Sequence, residues 1–455
     1  MDCWLYMSLL HYNHGAFTEH DEDIHACNYW VCDGIVSGEH AWEAACRLSE
    51  VMRLDCLHSN ENKWNWFNRF VSEYQDKMSR WIPITSTYIQ TIPQEATSYF
   101  LTLQEPKKAL LIELFHQSTK LRVLKLSCCS FSFASPPFLC CHNLRFLWVD
   151  KCKDNGSTDG PVEKKGTCFQ SLWVLDIRHT NWTWILSPEM MELMTELREL
   201  NVKAVRSSED WNLCTTTPKS NCLHTIVMLM LRIVESSMYL KVLLQDFLME
   251  IGHLELLDLS GNTSMDVLPN LSGASRLKVL ILDGCDGLQT VEPTVLPMAL
   301  ESFSFDGFGP ASWWKHSVQI PEKQMRPRAA TGEAHPRISK ISLKGCTRLK
   351  NVFLRGLPKL KELNLSKTAV EALDLEYMET KQLEQLFLLG CEYLRSVRWI
   401  DMKKPALKLL CVDTREKAIS SLDSDDHEGS HSYFGVQKDG SLQHVHVVTT
   451  DARFL

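Results

Sequence analysis

A chain of 455 residues with 44% apolar content holds enough nonpolar mass for two ordinary domains or one elongated array, which excludes a disordered polypeptide. Its formal net charge of -8 excludes the broad positive field that nucleic-acid binding draws from Lys and Arg, so any basic function is local. No stretch reaches the roughly 18 consecutive apolar residues of a membrane span, since the nearest, 225–248, is broken by Arg232, Glu235, Lys241, Gln245 and Asp246.

At the N-terminus, the first 46 residues carry eight acids and no Lys or Arg, the reverse of an organellar transit peptide or the positive start of a signal peptide. A cytoplasmic location is expected. Residues 1–100 lack any repeat and are rich in Trp and His. Helical spacing of Ala44, Ala45, Leu48, Val51 and Met52 predicts a helix near 41–57 and a small, mainly helical subdomain.

From about residue 101 to 415 the pattern Leu-x-x-Leu-x-Leu recurs, with aliphatic or Phe substitutes. Copies begin at Leu121, Leu144, Leu172, Leu197, Leu254, Leu277, Leu300, Ile338, Leu360, Leu383 and Leu407, with a degenerate one at Leu223. Most starts are 22 to 28 residues apart, within the leucine-rich-repeat period of about 20 to 29. Positions four and six of each motif point inward from a short strand. A single coil cannot bury that face alone, so coils must stack. The predicted fold is α/β: a leucine-rich-repeat solenoid, with a curved parallel sheet on one side and an irregular or helical convex side.

The ninth motif position calls for Asn or Cys, whose side chain can hydrogen-bond the backbone of the turn. Cys129, Cys152, Asn262, Cys285, Cys346 and Cys391 stand there, with Thr180 and Thr368 as polar substitutes. Five cysteines thus share one structural role, and a buried thiol of this kind is inert. Zinc ligands would have to come from Cys128, Cys129, Cys140, Cys141, His142 and Cys152, which lack the Cys-x-x-Cys pairs of zinc ribbons and fingers. No metal site is expected.

The repeat is interrupted at 310–336 by a Pro-, Gly- and charge-rich insertion that should be an exposed loop. Residues 416–440 are acidic and polar and read as a flexible linker, and 441–455 alternate like a strand.

The stretches LESFSFDGFGPASWW (300–314), ISKISLKGCTRLKNVFLRGLPKLKELNLSKTAVEALDL (338–375) and LEQLFLLGCEYLRSV (383–397), with YWVCDGIVSGEHAWEAACRLSEVMRLDCL upstream (29–57), resemble plant intracellular nucleotide-binding leucine-rich-repeat immune receptors of the grass type. In that likeness Trp30, Asp33 and Gly34 match the Trp-x-x-Asp/Glu-Gly signature of a winged helix that ends the family's nucleotide-binding module. The resemblance implies pathogen sensing, autoinhibition and defence signalling. No Gly-x-x-x-x-Gly-Lys-Ser/Thr loop exists, and 60–70 lacks the family's Met-His-Asp element, so its ADP or ATP site is missing and no cofactor is expected.

Motif positions two, three, five, seven and eight should project from a concave protein-binding face. On it Trp148, Asp150 and Lys151 stand beside Trp173, Asp176, Arg178 and His179, aromatic anchors among charges, with a solvated ridge as the bland alternative. From Lys340 to Lys367 there are eight bases (among them Lys340, Lys344, Arg348, Lys350, Lys359 and Lys361) against the single acid Glu362. This basic arc either faces an acidic partner, such as a nucleotide-binding module, or is a solvated edge. The expected partners are proteins, a pathogen effector or a guarded host protein. No nucleophile with its base, and no acid–base pair, marks an enzyme. The other reading is a substrate-recruiting adaptor of a ubiquitin ligase, which would need a ligase-docking helical domain at the start.

Overall fold

A computed structural model describes residues 1–13, 19–57, 79–86, 92–103, 109–156, 167–182, 185, 188–203, 226–232, 253–308, 336–375, 378, 380, 382–398, 407–413, 430–436 and 442–448. The chain forms two compact units that divide between Met228 and Leu229.

In unit one the strands are β1 (Trp81–Ser86), β2 (Ser98–Leu103), β3 (Val123–Ser127), β4 (Ser130–Phe131), β5 (Phe146–Asp150), β6 (Lys153–Asp154), β7 (Val174–Arg178) and β8 (Glu199–Lys203). β1, β2, β3, β5, β7 and β8 pair in parallel, each with the next, and β4 pairs with β6. From β3 onward each main strand opens at motif position three, so position-four residues Leu124, Leu147, Leu175 and Leu200 stack in one row and position-six residues Leu126, Val149, Ile177 and Val202 in another. Both rows are buried. This is the leucine-rich-repeat solenoid that the period demands, because the inward rows find their only dry partner in the next coil.

One backbone contact recurs at every step. The position-two carbonyl of a coil accepts the amides of positions two and three of the next: Arg122 O from Arg145 and Phe146, Arg145 O from Trp173 and Val174, Trp173 O from Arg198 and Glu199. The same contact joins Thr97 O to Arg122 and Val123, and Arg80 O to Thr97 and Ser98. Two coils therefore precede the first recognisable repeat, and the array begins inside the region expected to be a separate helical subdomain. It also corrects the degenerate copy. Val227 and Met228 donate to Arg198 O, which places the motif start at Ile226, three residues after Leu223.

Helices α1 (Asp2–Asn13), α2 (Glu19–Asp33) and α3 (Ala41–Leu57) share one core with these strands. Tyr6, Tyr29, Trp30 and Ala45 pack with Trp81, Phe100, Val123, Phe146, Trp148 and Val174, all outward-facing residues of the main sheet. The expected separate winged-helix-like subdomain is thus integral to the first coils. Asp33 fastens it: its carboxylate accepts Thr97 Oγ1 and Ser98 Oγ at 2.6 Å each and Trp81 Nε1 at 3.3 Å, and its carbonyl accepts Arg122 Nη1 at 2.7 Å. Gly34 then ends α2 at φ 94°, with Gly34 and Ile35 amides returning to Trp30 O.

β9 (Met228–Arg232) carries the unit boundary. Unit two continues with β10 (Leu256–Asp258), β11 (Val279–Ile281), β12 (Thr290–Val291), β13 (Ser302–Asp306), β14 (Lys340–Ser342), β15 (Asn351–Arg355), β16 (Glu362–Asn364), β17 (Ala372–Asp374), β18 (Gln385–Leu389), β19 (Ser396–Arg398), β20 (Leu409–Asp413), β21 (Ser430–Val436) and β22 (Leu442–Val448). Two parallel ladders run through it: β10-β11-β13-β15, and β12-β14-β16-β18-β20-β22. β17 pairs with β19.

The repeat changes phase between β13 and β14. Copies at Leu254, Leu277 and Leu300 supply the first ladder, whereas those at Ile338, Leu360, Leu383 and Leu407 supply the second. The first ladder continues through LKNVFL, which starts at Leu349. The insertion between these strands lies outside the described residues except for the buried Pro336. Gly307 sits at the crossover, where an added Cβ would meet Gly356 O at 2.0 Å, so the close approach of two backbones there requires glycine. At the far end β22 is the strand expected from the alternation, while β21, which falls within the expected linker, pairs with it antiparallel.

Position nine behaves as its chemistry requires. Cys152 Sγ approaches Leu126 O at 3.5 Å, Cys285 Sγ approaches Leu259 O and Cys391 Sγ approaches Leu365 O at 3.1 Å each, and Asn262 Nδ2 donates to Leu231 O at 2.7 Å and Leu259 O at 2.6 Å. Burial pushes the Cys152, Cys285 and Cys391 thiols up, which keeps them protonated donors. Asn262→Ala takes the side-chain donor from Leu231 O and leaves Leu259 O with only the weaker Cys285 thiol, and should destabilise unit two by about 1–3 kcal/mol. Urea unfolding followed by Trp fluorescence in both proteins measures this, and an unchanged midpoint would refute it.

Candidate functional site

The face expected to be open is half covered by the chain's own helices. α2 presents His25, Asn28, Tyr29 and Cys32, spaced along one helical stripe, toward the outward residues of β5, β7 and β8. His25 Nε2 donates to Asp176 Oδ2 at 2.7 Å, and its Nδ1 accepts Asn28 Nδ2 at 3.2 Å. Asn28 Nδ2 also donates to Glu199 Oε2 at 2.9 Å, and Asn201 Nδ2 to Glu199 Oε1 at 2.7 Å. Arg178 grips Asp176 with two bonds of 2.8 Å. His25 and Asp176 are wholly buried.

The electrostatics of this cluster follow from its partners. Burial works against the charged form of Asp176, but the Arg178 guanidinium and His25 outweigh it and hold the carboxyl well below the usual carboxylate range. For His25 burial is the larger influence, and it lowers the imidazole despite Asp176 and Glu199. The neutral ring bridging carboxylate and amide fits both its neighbours.

Cations and indoles complete the interface. Trp148 is sandwiched between Lys125 Nζ at 3.7 Å and the Arg178 guanidinium at 4.2 Å from its ring centre, with the His25 ring 5.0 Å away. Arg145 stacks on Trp173 and Arg198 on Trp42, each at 4.2 Å, and the two indoles meet at 5.4 Å. Trp42 also donates to Asn28 Oδ1 at 2.9 Å. Contacts of this kind are worth about 0.5–2 kcal/mol each.

The seven residues expected on the concave surface therefore divide. Trp148 and Asp176 are buried beneath α2 and cannot meet a partner while it is docked. Trp173 and Arg178 pack against the helical layer. Asp150, Lys151 and His179 stay accessible at the strand ends, where His179 Nδ1 donates to Asp150 Oδ1 at 2.9 Å. His25, Asn28, Trp42, Lys125, Glu199 and Asn201 were not anticipated. The available signal was apolar occupancy of outward strand positions by Trp81, Phe100, Val123, Phe146 and Val174, which betrays a second layer.

The basic residues do not share one face. Lys340 lies on β14 and Lys344 just after it, and Lys361 leads into β16, all on the second ladder, while Lys350 leads into β15 on the first. Arg348 and Lys359 occupy the connecting turns. Lys340 is shared between Glu292 at 3.6 Å and Glu362 at 3.5 Å; Lys344, Arg348, Lys350, Lys359 and Lys361 are exposed. Among the described residues no group of three His, Cys, Asp or Glu could hold a metal ion, and no helix is long and apolar enough to cross a membrane.

Replacing Asp176 with Ala takes the carboxylate from the half-buried Arg178 guanidinium and the acceptor from the buried His25 Nε2, and should cost unit one about 3–5 kcal/mol. The pH dependence has a definite sign. His25 titrates lower when folded than the ~6.5 of an unfolded chain, so its contribution is complete above that value and is lost as pH falls through it. Thermal melts between about pH 7.5 and about pH 5 (about one unit above that value to about one and a half below) should show the midpoint dropping, and the drop should flatten in His25→Gln, whose amide keeps the donor to Asp176.

No family model matches the sequence, and no curated protein matches it. Similar solved structures include an internalin from Listeria monocytogenes, 14% identical, covering 71% of this chain and 82% of its own, with TM-score 0.30. A leucine-rich-repeat protein from Leptospira interrogans is 17% identical over 77% of this chain and 95% of its own, with TM-score 0.32. The functional domain of InlJ from Listeria monocytogenes, which includes a cysteine ladder, is 12% identical over 79% and 81%, with TM-score 0.28.

Proposed function

We propose that this chain is a protein-binding leucine-rich-repeat module, the sensing and autoregulatory part of an intracellular plant immune receptor of the nucleotide-binding class. The observation that carries the binding role is a row of left-handed residues. Position eight is left-handed in coil after coil, and Gly261, Gly284, Gly345 and Gly390 fill it in unit two, where Lys367 at φ 58° is the exception among the described residues. In three successive coils of unit one it is instead Cys128 at φ 58°, Lys151 at φ 52° and His179 at φ 49°. Each costs about 1 kcal/mol or more relative to glycine. Lys151 and His179 project from a rigid edge into solvent beside Asp150, the arrangement of a polar recognition surface rather than of a core.

The immune-receptor context rests on the resemblance of the repeats and of Trp30, Asp33 and Gly34 to that family. The exposed Lys344 and Lys361 supply a surface for an acidic nucleotide-binding module, and Lys151 with His179 supplies one for an effector or guarded host protein. A ligase adaptor would hold its docking helices clear of the repeats, and α1–α3 are packed onto the strands, which favours the receptor reading.

Two measurements test it. Lys151→Gly with His179→Gly should stabilise unit one by about 1–2 kcal/mol; a loss of stability would mean that these side chains serve folding, not binding. A purified nucleotide-binding module from a grass receptor should be retained by the immobilised chain at low salt, at least tenfold less by Lys344→Glu with Lys361→Glu (about 1.4 kcal/mol). Equal retention by both, or none by the wild type, removes the autoregulatory role.

A further inference from the structure

We infer that Cys27 on α2 and Cys46 on α3 form a thiol pair that a hydroperoxide converts into a disulfide, stapling the two helices that cover the strands of unit one. Neither cysteine stands at motif position nine, so the ladder of turns does not account for them. They lie opposite each other across the α2–α3 hairpin: Cys27 is six residues before Asp33, the end of α2, and Cys46 five after Ala41, the start of α3. The Trp42 bond to Asn28 at 2.9 Å holds the helices together at that level, one residue from Cys27 and one turn from Cys46. The two thiols hydrogen-bond each other, and Ser49, further along α3, also bonds Cys27. Both are free thiols, Cys27 buried and Cys46 half-buried.

The chemistry assigns the order of events. Cys46 is half-buried while Cys27 is buried, with its thiol pushed up by its bond to Cys46 and by burial, so Cys46 is the sulfur that meets oxidant first. Cys46 attacks a peroxide oxygen, breaking the O–O bond, and becomes a sulfenic acid as one water leaves. Cys27 then attacks that sulfur, its proton leaving with the hydroxyl as a second water. Two thiols and one hydrogen peroxide give one disulfide and two waters. The product fixes α2, and with it His25, Asn28 and Tyr29, over Trp148 and Asp176.

The full chain is treated with hydrogen peroxide, alkylated, and cleaved at acidic and aromatic residues. Tyr29, Trp30, Asp33, Glu39 and Glu43 separate Cys27 from both Cys32 and Cys46 and make the linkage unambiguous. A cross-linked peptide of Cys27 and Cys46, two hydrogens lighter than its reduced parts, is expected, and it should vanish in Cys46→Ser, whose half-buried position leaves the fold intact. Amides of α2 and α3 should then exchange roughly tenfold more slowly in the oxidised wild type and not in Cys46→Ser. Oxidation of Cys46 to sulfinic acid without a cross-link, or pairing of Cys27 with Cys3 or Cys32, overturns the assignment, and so does a cross-link that leaves exchange unchanged.

Discussion

The structure hangs on a carbonyl that accepts two amides. At motif position two of each coil, one oxygen takes the N–H groups of positions two and three from the coil above it, from Arg80 through Thr97, Arg122, Arg145 and Trp173 to Arg198. A parallel strand cannot satisfy its own backbone, so this contact fixes the rise and register of every coil. A slip by one residue would turn the leucine rows outward. Sequence drift is therefore tolerated where the substitute is still buried and the backbone contact is kept. Ala96 can replace the first Leu and Tyr99 the second because the backbone contact at Thr97 survives.

Covering an outward face is a different problem from stacking an inward one. Inward rows are uniformly apolar, whereas the surface beneath α2 mixes Phe146 and Trp148 with Asp176, Glu199 and Asn201. Burying Asp176 is tolerable because Arg178 comes from the same strand and His25 from the helix. The helix is thus held by a charge arrangement that only one docking position completes. Apolar packing around Tyr29 and Trp30 supplies adhesion, and the polar cluster supplies register. What stays accessible lies at the strand ends, where Asp150, Lys151 and His179 are beyond the helices.

What could be read from the sequence follows from the same division. The solenoid was legible because its inward rows repeat, and the role of the position-nine cysteines because a turn donor leaves a periodic mark. The coils at Arg80 and Thr97 were not, since Ser79, Ala96 and Tyr99 stand where the template has leucines while the backbone ladder is intact. Leu223 was mistaken for Ile226 because LHTIVM and IVMLML both satisfy the pattern, and only the amides of Val227 and Met228 distinguish them. The buried fate of Trp148 and Asp176 depends on His25, which lies 123 and 151 positions earlier in the chain, separations that defeat local reading. Lys151 and His179 could be placed as exposed because position eight faces the turn whatever covers the sheet.

The phase change in unit two explains why charge counted along the chain misleads about surfaces. Before Gly307 the leucine-rich strand of each coil feeds the first ladder, and after Pro336 it feeds the second, so neighbours in sequence such as Lys344 and Lys350 serve opposite ladders. Either strand line can host the motif because each coil needs only two inward side chains at positions four and six, and LKNVFL meets the first ladder's demand with Val352 and Leu354 while ISKISL meets the second's with Ile341 and Leu343. A solenoid with two ladders can therefore absorb an insertion without losing core, provided that the backbones may come close where the path shifts. That proviso is met by the missing side chain of Gly307, where an added Cβ would lie only 2.0 Å from Gly356 O.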